Sequence, residues 1–351
     1  MVAPRRLRIA TLNCLNLALP GRRFYDGWEP YSGDEYLAKT QWLAGLLDRL
    51  AADFVLVQEV FHEQALADVV RQTAAGARGY AVAVPLADET NVRPRLGLIW
   101  RAAWRPQLET IAEFPPGTAV AVPEREPHTR FSRPLLLARV PWGAAGGPTL
   151  ALLNVHLKSR RPEFVAGESA EDPAAEARAQ LRSLVMRGAE AAALRRHVIE
   201  LTRGAGTPLV VAGDFNDDVD AVTTQIVADT SWKREDRPQR DHMLFDAFDV
   251  VEGPSPARGR DVAYTILHAG VPERIDHVFV SEEFVAQSRR ALARVLSVEI
   301  FNDHLTERQA HGRGLIAGAD PSRIYSDHAA VCATVELAAP SPGASAADQN
   351  R

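Results

Sequence analysis

Cysteine is almost missing from this chain, with two residues, Cys14 and Cys332, among 351, each inside an apolar segment. Two thiols are too few for a disulfide framework or a zinc cage, which excludes cross-linked and zinc-built scaffolds. No apolar run approaches the roughly 20 residues that cross a bilayer. The opening "MVAPRRLRIATLN" carries two arginines but no apolar stretch followed by a small-residue cleavage site, so it does not read as a secretory leader. A cytoplasmic protein without membrane insertion is the expectation. Charge of one sign is lacking too: a net charge of −5 argues against a general nucleic-acid coating protein. It leaves room for local basic clusters, namely Lys158, Arg160 and Arg161, then Lys233, Arg234, Arg237 and Arg240. No internal Pro/Gly/Ser-rich linker divides the chain, so one domain over residues 1–337 and a monomer are expected. The low-complexity end, "AAPSPGASAADQNR" from Ala338 to Arg351, is expected to be a disordered tail.

Against these absences stands a hydrophobic content of 46%, enough for a large core. "LRIATLN" from Leu7 alternates as a strand. After a loop bearing Gly and Pro, Tyr36, Leu43, Leu46, Leu47 and Leu50 fall at helical spacing, with Ser32 or Asp34 as the cap. "DFVLVQE" then reads as a buried strand ending on Glu59. The second half repeats this order. "TLALLNVHLKS" is a strand, residues 174–203 carry a helical stripe of Leu181, Leu184, Val185, Ala192, Val198 and Ile199, and "LVVAGD" is a buried strand ending on Asp214. Further strands, "RLGLIW", "PLLLARV", "RIDHVFVS" and "AAVCATVEL", outnumber the helices, which favours sheets covered by helices over a helical bundle.

Asn13, Glu59, Arg133, Asn154, His156, Asp214, Asn216, Asp276, Asp327 and His328 interrupt these strands or sit at their ends. Each alone has a structural explanation as a turn former, a cap or a satisfied core residue. Together they supply every role in metal-assisted phosphoester hydrolysis. A hard cation such as Mg²⁺ takes carboxylates and substrate oxygens, and Glu59 and Asp327 offer carboxylates. A base and several donors are also present. Alternation places Asp214 with Asn216, and Asn154 with His156 and Lys158, on common sides. Neighbouring residues diverge, so Asp327 is a poor partner for His328, and Asp276 is the carboxylate expected to fix that imidazole's tautomer.

The segments "ATLNCLNL", "LVQEVF", "LLNVHLKS", "VVAGDFND", "RIDHVFVS" and "YSDHAAV", in that order, resemble the endonuclease/exonuclease/phosphatase superfamily, the DNase I-like group. The resemblance implies an α/β fold: a four-layered α/β/β/α sandwich, two mostly antiparallel sheets face to face with helices outside. It implies Glu59 as the principal Mg²⁺ ligand (Mn²⁺ as a substitute), with Asn13 and Asp327 nearby. Asp214 and Asn216 would orient water and phosphate, His156 would donate to a phosphate oxygen, and His328 would be base or phosphate ligand. Leu15 stands where abasic-site enzymes of the group carry an aspartate. The segment before "IDHVFVS" lacks the tryptophan and cysteine of the inositol phosphatases. The chain is thus similar to bacterial nuclease-like members.

A nuclease acting on DNA or RNA is the leading expectation, with a phosphatase or phosphodiesterase for a small metabolite or lipid head group as the alternative. A non-catalytic scaffold would be expected to have lost one of these groups. Arg133, Asn154, Lys158, Arg160 and Arg161 are the expected phosphate-binding residues. Loops 159–173, 230–241 and 299–325 are expected to border the site, with Tyr264, His268 and His304 as secondary candidates.

Overall fold

The computed structural model describes residues 6–25, 27–85, 93–142, 147–203, 206–228, 242–251, 262–309 and 320–337. Two six-stranded sheets dominate. The first runs in the order β13(Ala293–Phe301), β14(Ala330–Leu337), β1(Arg6–Leu17), β2(Phe54–Val60), β4(Arg95–Arg101), β3(Tyr80–Ala83). The second runs β5(Gln107–Glu113), β6(Arg130–Pro141), β7(Thr149–His156), β8(Leu209–Asp214), β12(Asp276–Ser281), β9(Leu244–Asp246). A small hairpin, β10(Ile266–His268) and β11(Val271–Glu273), stands apart.

In each sheet four of the five pairings are antiparallel. The parallel exceptions are β1 with β2 and β7 with β8. Parallel neighbours need a crossover, and the two crossovers are the helices α1(Gly33–Leu50) and α4(Pro173–Thr202). The repeated order of strand, helix, strand and acid is therefore two βαβ units, one in each sheet.

Local signals set the helix ends. Ser32 caps α1 in a reciprocal box with Glu35, the Ser32 hydroxyl accepting from the Glu35 N–H and the Glu35 carboxylate from the Ser32 N–H. Asp172 caps α4 ahead of Pro173. The face that α4 buries differs from the expected stripe. Leu181 and Leu184 are about half exposed, and the buried side carries Ala175, Ala179, Ala189, Ala193, Leu194 and Val198 together with Arg182, Arg187 and Glu190. Alanines let the helix approach the sheet closely, and the charged residues on that face are tied by hydrogen bonds.

Three apolar layers follow. Leu7, Ile9, Phe54 and Leu56 of one sheet meet Leu136, Leu152, Val210 and Val278 of the other between the sheets. Leu43, Leu47 and Leu50 of α1, with Leu66 and Val69 of α2(Glu63–Gln72), cover the outer face of the first sheet on Ala10, Leu12 and Val55. Leu194 and Val198 cover the second on Leu153, Val155 and Val211. This is the four-layered α/β/β/α sandwich. Each large apolar side chain so buried contributes about 1.5–3 kcal/mol. No helix among the described residues is long and apolar enough to cross a membrane.

The same alternation that builds the inner core ends it at one edge. On β1 the inward set Leu7 and Ile9 continues as Thr11 and Asn13. On β7, Leu150 and Leu152 continue as Asn154 and His156, and on β8, Val210 and Ala212 continue as Asp214. Strand β12 runs antiparallel to β8 and pairs Asp276 with Asp214, so its first residue lies at the same edge. One end of the sandwich interior is thereby polar.

Candidate active site

Irregular backbone opens that edge. The registers of β1 and β2 shift between Asn13 and Leu17 and between Val57 and Val60. Leu15, Asn16 and Glu59 all take left-handed φ, +48°, +55° and +57°. Left-handed backbone at non-glycine residues costs about 1–2 kcal/mol each and persists where surrounding structure imposes it. Here it lets the Asn16 N–H donate to Glu59 Oε2 at 3.0 Å, fixing the carboxylate at the mouth of a cleft. On the other sheet, Gly213 has φ +151°, and a Cβ there would lie 1.9 Å from the Val155 carbonyl oxygen. Only glycine permits β8 to press against β7 at this point, which is why a glycine precedes Asp214 in "AGDFN".

Four groups converge. His328 Nδ1 lies 2.8 Å from Asp276 Oδ2, the contact that alternation pointed to. Asp214 Oδ2 lies 3.4 Å from His156 Nε2 and 3.9 Å from His328 Nε2. Asn13 Nδ2 donates to that same oxygen at 3.0 Å, and the Asn216 N–H donates to Asp214 Oδ1 at 2.7 Å. Asp327 stays 3.9 Å from His328 Nε2. His156 Nδ1 and Asp276 Oδ1 are buried with no hydrogen-bond partner among the described residues.

The electrostatics separate the roles. Burial raises Asp214 to about 7, with Asp276 adding to the rise and the His328 charge opposing it. Burial works against the His328 imidazolium, but Asp276 and then Asp214 outweigh it and hold its pKa well above the ordinary value. His156 goes the other way: burial first, then the charges of Arg133, His328 and Lys158, keep it neutral. A carboxyl that titrates near neutrality thus faces one charged and one neutral imidazole.

Glu59 and Asp327 supply the hard oxygens that suit Mg²⁺. After burial and the opposing Arg323, the charges of Glu59, Glu35 and Asp327 raise the Tyr31 phenol. Asp214, Asp276 and His328 also bring ligand-type atoms within 4.8 Å of one another. The Asp276–His328 hydrogen bond already engages one atom of each of those two, whereas a hard cation takes carboxylate oxygens of the kind that Glu59 and Asp327 carry.

The cleft has a volume of about 800 Å³, and its lining includes Glu59, His156, Asp214, Asn216 and His328. Seven cationic residues line it as well: Arg93, Arg95, Arg125, Arg130, Arg133, Lys158 and Arg161. Lys158 Nζ pairs with Glu163 at 3.0 Å; burial lowers its ammonium pKa and Glu163 draws it back up. Arg133 donates to the Leu157 carbonyl at 3.1 Å. Asn216, itself at φ +55°, donates its amide to the same carbonyl at 2.9 Å, so it bridges β7 and the residues after β8.

Two expected phosphate contacts sit elsewhere. Asn154 lies between the sheets: its Nδ2 donates to Val57 O at 3.0 Å and Gly97 O at 2.9 Å, and its Oδ1 accepts from Gln58 Nε2 at 2.7 Å. Its alternation with His156 is as expected, but it is one pleat too deep to meet the cleft. Arg160 pairs with Glu273 at 2.6 Å and Asp217 at 3.1 Å and donates to the Asn216 carbonyl, outside the cleft lining.

Of the three expected loops, 159–173 borders the cleft through Ser159, Arg161 and Glu163 and is tied down. The buried Arg182 of α4 binds Pro123 O, Glu163 O, Glu168 and Glu124. The loop 230–241 and its basic cluster lie outside the described residues, as do the tail 338–351 and residues 310–319. Segment 299–301 belongs to β13, and His304 Nε2 lies 3.0 Å from the His328 carbonyl, its ring tilted against Trp42 at 4.9 Å. Tyr264 lines a separate cavity, and His268 sits on the β10–β11 hairpin.

Sequence reading missed Glu190. This fully buried carboxylate on α4 accepts from Ser132 N and Oγ at 2.8 and 2.6 Å and from Lys158 N at 2.7 Å, with His128 Nε2 at 3.1 Å. It ties the start of β6 to the end of β7, beneath Arg133 and Lys158. Its only sequence signal was a glutamate on the inward face of a helix, and no local pattern names its partners.

A two-sheet sandwich whose inner face ends in paired carboxylates and histidines under a cationic cleft defines an α/β protein with a hydrolase-type site. The chain matches the Endonuclease/Exonuclease/phosphatase family over residues 10–328, and it belongs to that family. The family's members are phosphoester hydrolases, in general dependent on a divalent metal. Similar solved structures include a family protein from Bacteroides vulgatus, with 18% identity, 95% of this chain and 99% of that one covered, and a TM-score of 0.52. The human Nocturnin catalytic domain with bound sulfate has 16% identity, coverage of 96% and 97%, and a TM-score of 0.52. A mannosyl-6-phosphatase from Bacteroides thetaiotaomicron has 15% identity, coverage of 95% and 100%, and a TM-score of 0.51. At these identities the likeness speaks for the fold. No curated protein matches the chain.

Proposed function

We propose that this protein is a divalent-metal-dependent phosphodiesterase that cleaves DNA or RNA. The carrying observation is the cleft: in a chain of net charge −5, seven cationic side chains line one opening together with Glu59, His156, Asp214 and His328. Arg125 and Lys158 pair with Glu163 and Arg130 with Glu113, and a cleft this rich in cations suits a substrate with successive phosphates.

In this reading Asp214, poised near pH 7, takes the proton of the attacking water. Asn13 and the Asn216 N–H hold that carboxylate in place. Water's oxygen forms a bond to phosphorus as the opposite ester bond breaks in line. The His328 imidazolium, held by Asp276, and the Arg133 guanidinium donate to the phosphoryl oxygens, which gain charge. Neutral His156 donates to a further oxygen. Glu59 and Asp327 would hold the metal, whose chemistry is Lewis-acid stabilisation of that charge.

The second reading, a small phosphoester substrate, is favoured by the cleft volume of about 800 Å³, within the range of small-ligand pockets. A panel of single- and double-stranded DNA, RNA, bis-p-nitrophenyl phosphate and p-nitrophenyl phosphate, with Mg²⁺ or Mn²⁺, separates them. Polymer cleavage with kcat/KM well above that of the small diester supports the nuclease reading. Activity on p-nitrophenyl phosphate alone overturns it.

A further inference from the structure

An aromatic cluster stands beside the cationic cleft and takes no part in the chemistry above. Phe24, Tyr25, Trp28 and Tyr31 lie in the segment after β1, and Phe61 follows β2. Phe24 stacks on Tyr31 with centroids 5.1 Å apart and touches Phe61, Tyr25 and Trp28 at 5.8, 6.3 and 6.2 Å. Phe24, Tyr31 and Phe61 are buried and serve as backing. The other two rings are less covered, Tyr25 being partly buried against this cluster. Tyr25 lines the cleft with Glu59 and Arg133, and burial together with the Glu59 charge pushes its phenol up to about 12 against the opposing Arg133. Trp28, whose backbone N–H donates to the Tyr25 carbonyl at 3.3 Å, is 50% exposed.

A half-exposed indole is unremarkable alone. Here it lies three residues from the cleft-lining Tyr25 and against the buried ring of Phe24, and Tyr25 shares the cleft lining with the guanidiniums of Arg133 and Arg161. A cationic track flanked by a rigid aromatic surface is what an unpaired nucleobase needs: the phosphates engage the charges and the base lies on the ring. A paired base has both faces covered by its neighbours and cannot use such a surface.

We infer that the rings of Tyr25 and Trp28 form a stacking platform for an unpaired nucleobase flanking the cleaved phosphate, which makes single-stranded nucleic acid the preferred substrate. This inference rests on the nuclease reading and narrows it.

The test uses the full chain in Ca²⁺, monitoring tryptophan fluorescence, with two 8-mer probes: oligothymidylate and an abasic oligomer of equal length and charge. Wild type should bind oligothymidylate on the order of tenfold more tightly than the abasic strand, with quenching. Trp28→Ala should bind both equally and as weakly as wild type binds the abasic strand, and Trp28→Phe should recover part of the difference. Turnover of bis-p-nitrophenyl phosphate should be unchanged in both variants, which shows that they are folded and that the catalytic groups are intact. The inference is overturned if Trp28→Ala weakens both probes alike, if wild type does not distinguish them, or if neither binds. Cleavage of polymer with no such discrimination leaves the nuclease reading standing and removes the platform, whereas absence of polymer cleavage removes both.

Discussion

Replacing Asn154 by alanine separates two roles that the sequence could not. The side chain makes three buried hydrogen bonds, two from its amide to Val57 O and Gly97 O and one from Gln58 to its oxygen. They join β7 in one sheet to β2 and β4 in the other. A buried intramolecular hydrogen bond contributes about 0.5–1.5 kcal/mol net, so three amount to about 2–4 kcal/mol. Asn154→Ala should lose that much in urea-induced unfolding followed by circular dichroism, by a lower midpoint at unchanged m. Per folded molecule, KM should stay within a few-fold of wild type, because no atom of Asn154 reaches the cleft. A stability loss below about 1 kcal/mol accompanied by a tenfold or larger rise in KM would refute this and return Asn154 to the phosphate site.

Three other outcomes follow from the same geometry. Gly213→Ala, which must place a Cβ 1.9 Å from the Val155 carbonyl, should destabilise the protein by more than about 3 kcal/mol, read in the same unfolding assay; a change under 1 kcal/mol would show that the strand pair relaxes freely. Asp214 and His328 both have folded pKa values raised above their unfolded ones, so the stability they contribute is present at low pH and lost as pH rises, through about 7 for Asp214. In EDTA, wild type should therefore melt lower at pH 8 than at pH 5.5, and Asp214→Asn should flatten the difference; an equal dependence in the two proteins would contradict the assignment. Glu190→Ala removes the acceptor for Ser132, Lys158 and His128 and should raise KM about tenfold or more, with Glu190→Gln intermediate; if KM does not move in either variant, Glu190 only packs the helix.

Much of the site was legible because strand alternation is a strict rule. Counting in twos from core positions such as Ile9, Leu152 and Val210 leads directly to Asn13, His156 and Asp214, and from Val278 back to Asp276. The capping of α1 was legible for the same local reason. What escaped depends on depth and on distant partners. Asn154 obeys the alternation, yet whether it meets solvent or the opposite sheet is set by residues some 57 and 97 positions away. Arg160 looked like a phosphate ligand until Glu273 and Asp217 were beside it. The face of α4 was misread because large apolar residues usually mark the buried side. Here close approach to the sheet is made largely by alanines, and Leu181 and Leu184 are left half exposed.

The most direct measurement is hydrolysis of bis-p-nitrophenyl phosphate with Mg²⁺ by wild type, Glu59→Gln, Asp276→Asn and His328→Ala, each purified identically and repeated in EDTA. The site described here predicts turnover that EDTA abolishes, with losses of about 10²–10⁴-fold in each variant. Equal turnover in all four proteins, or turnover indifferent to EDTA, would contradict it.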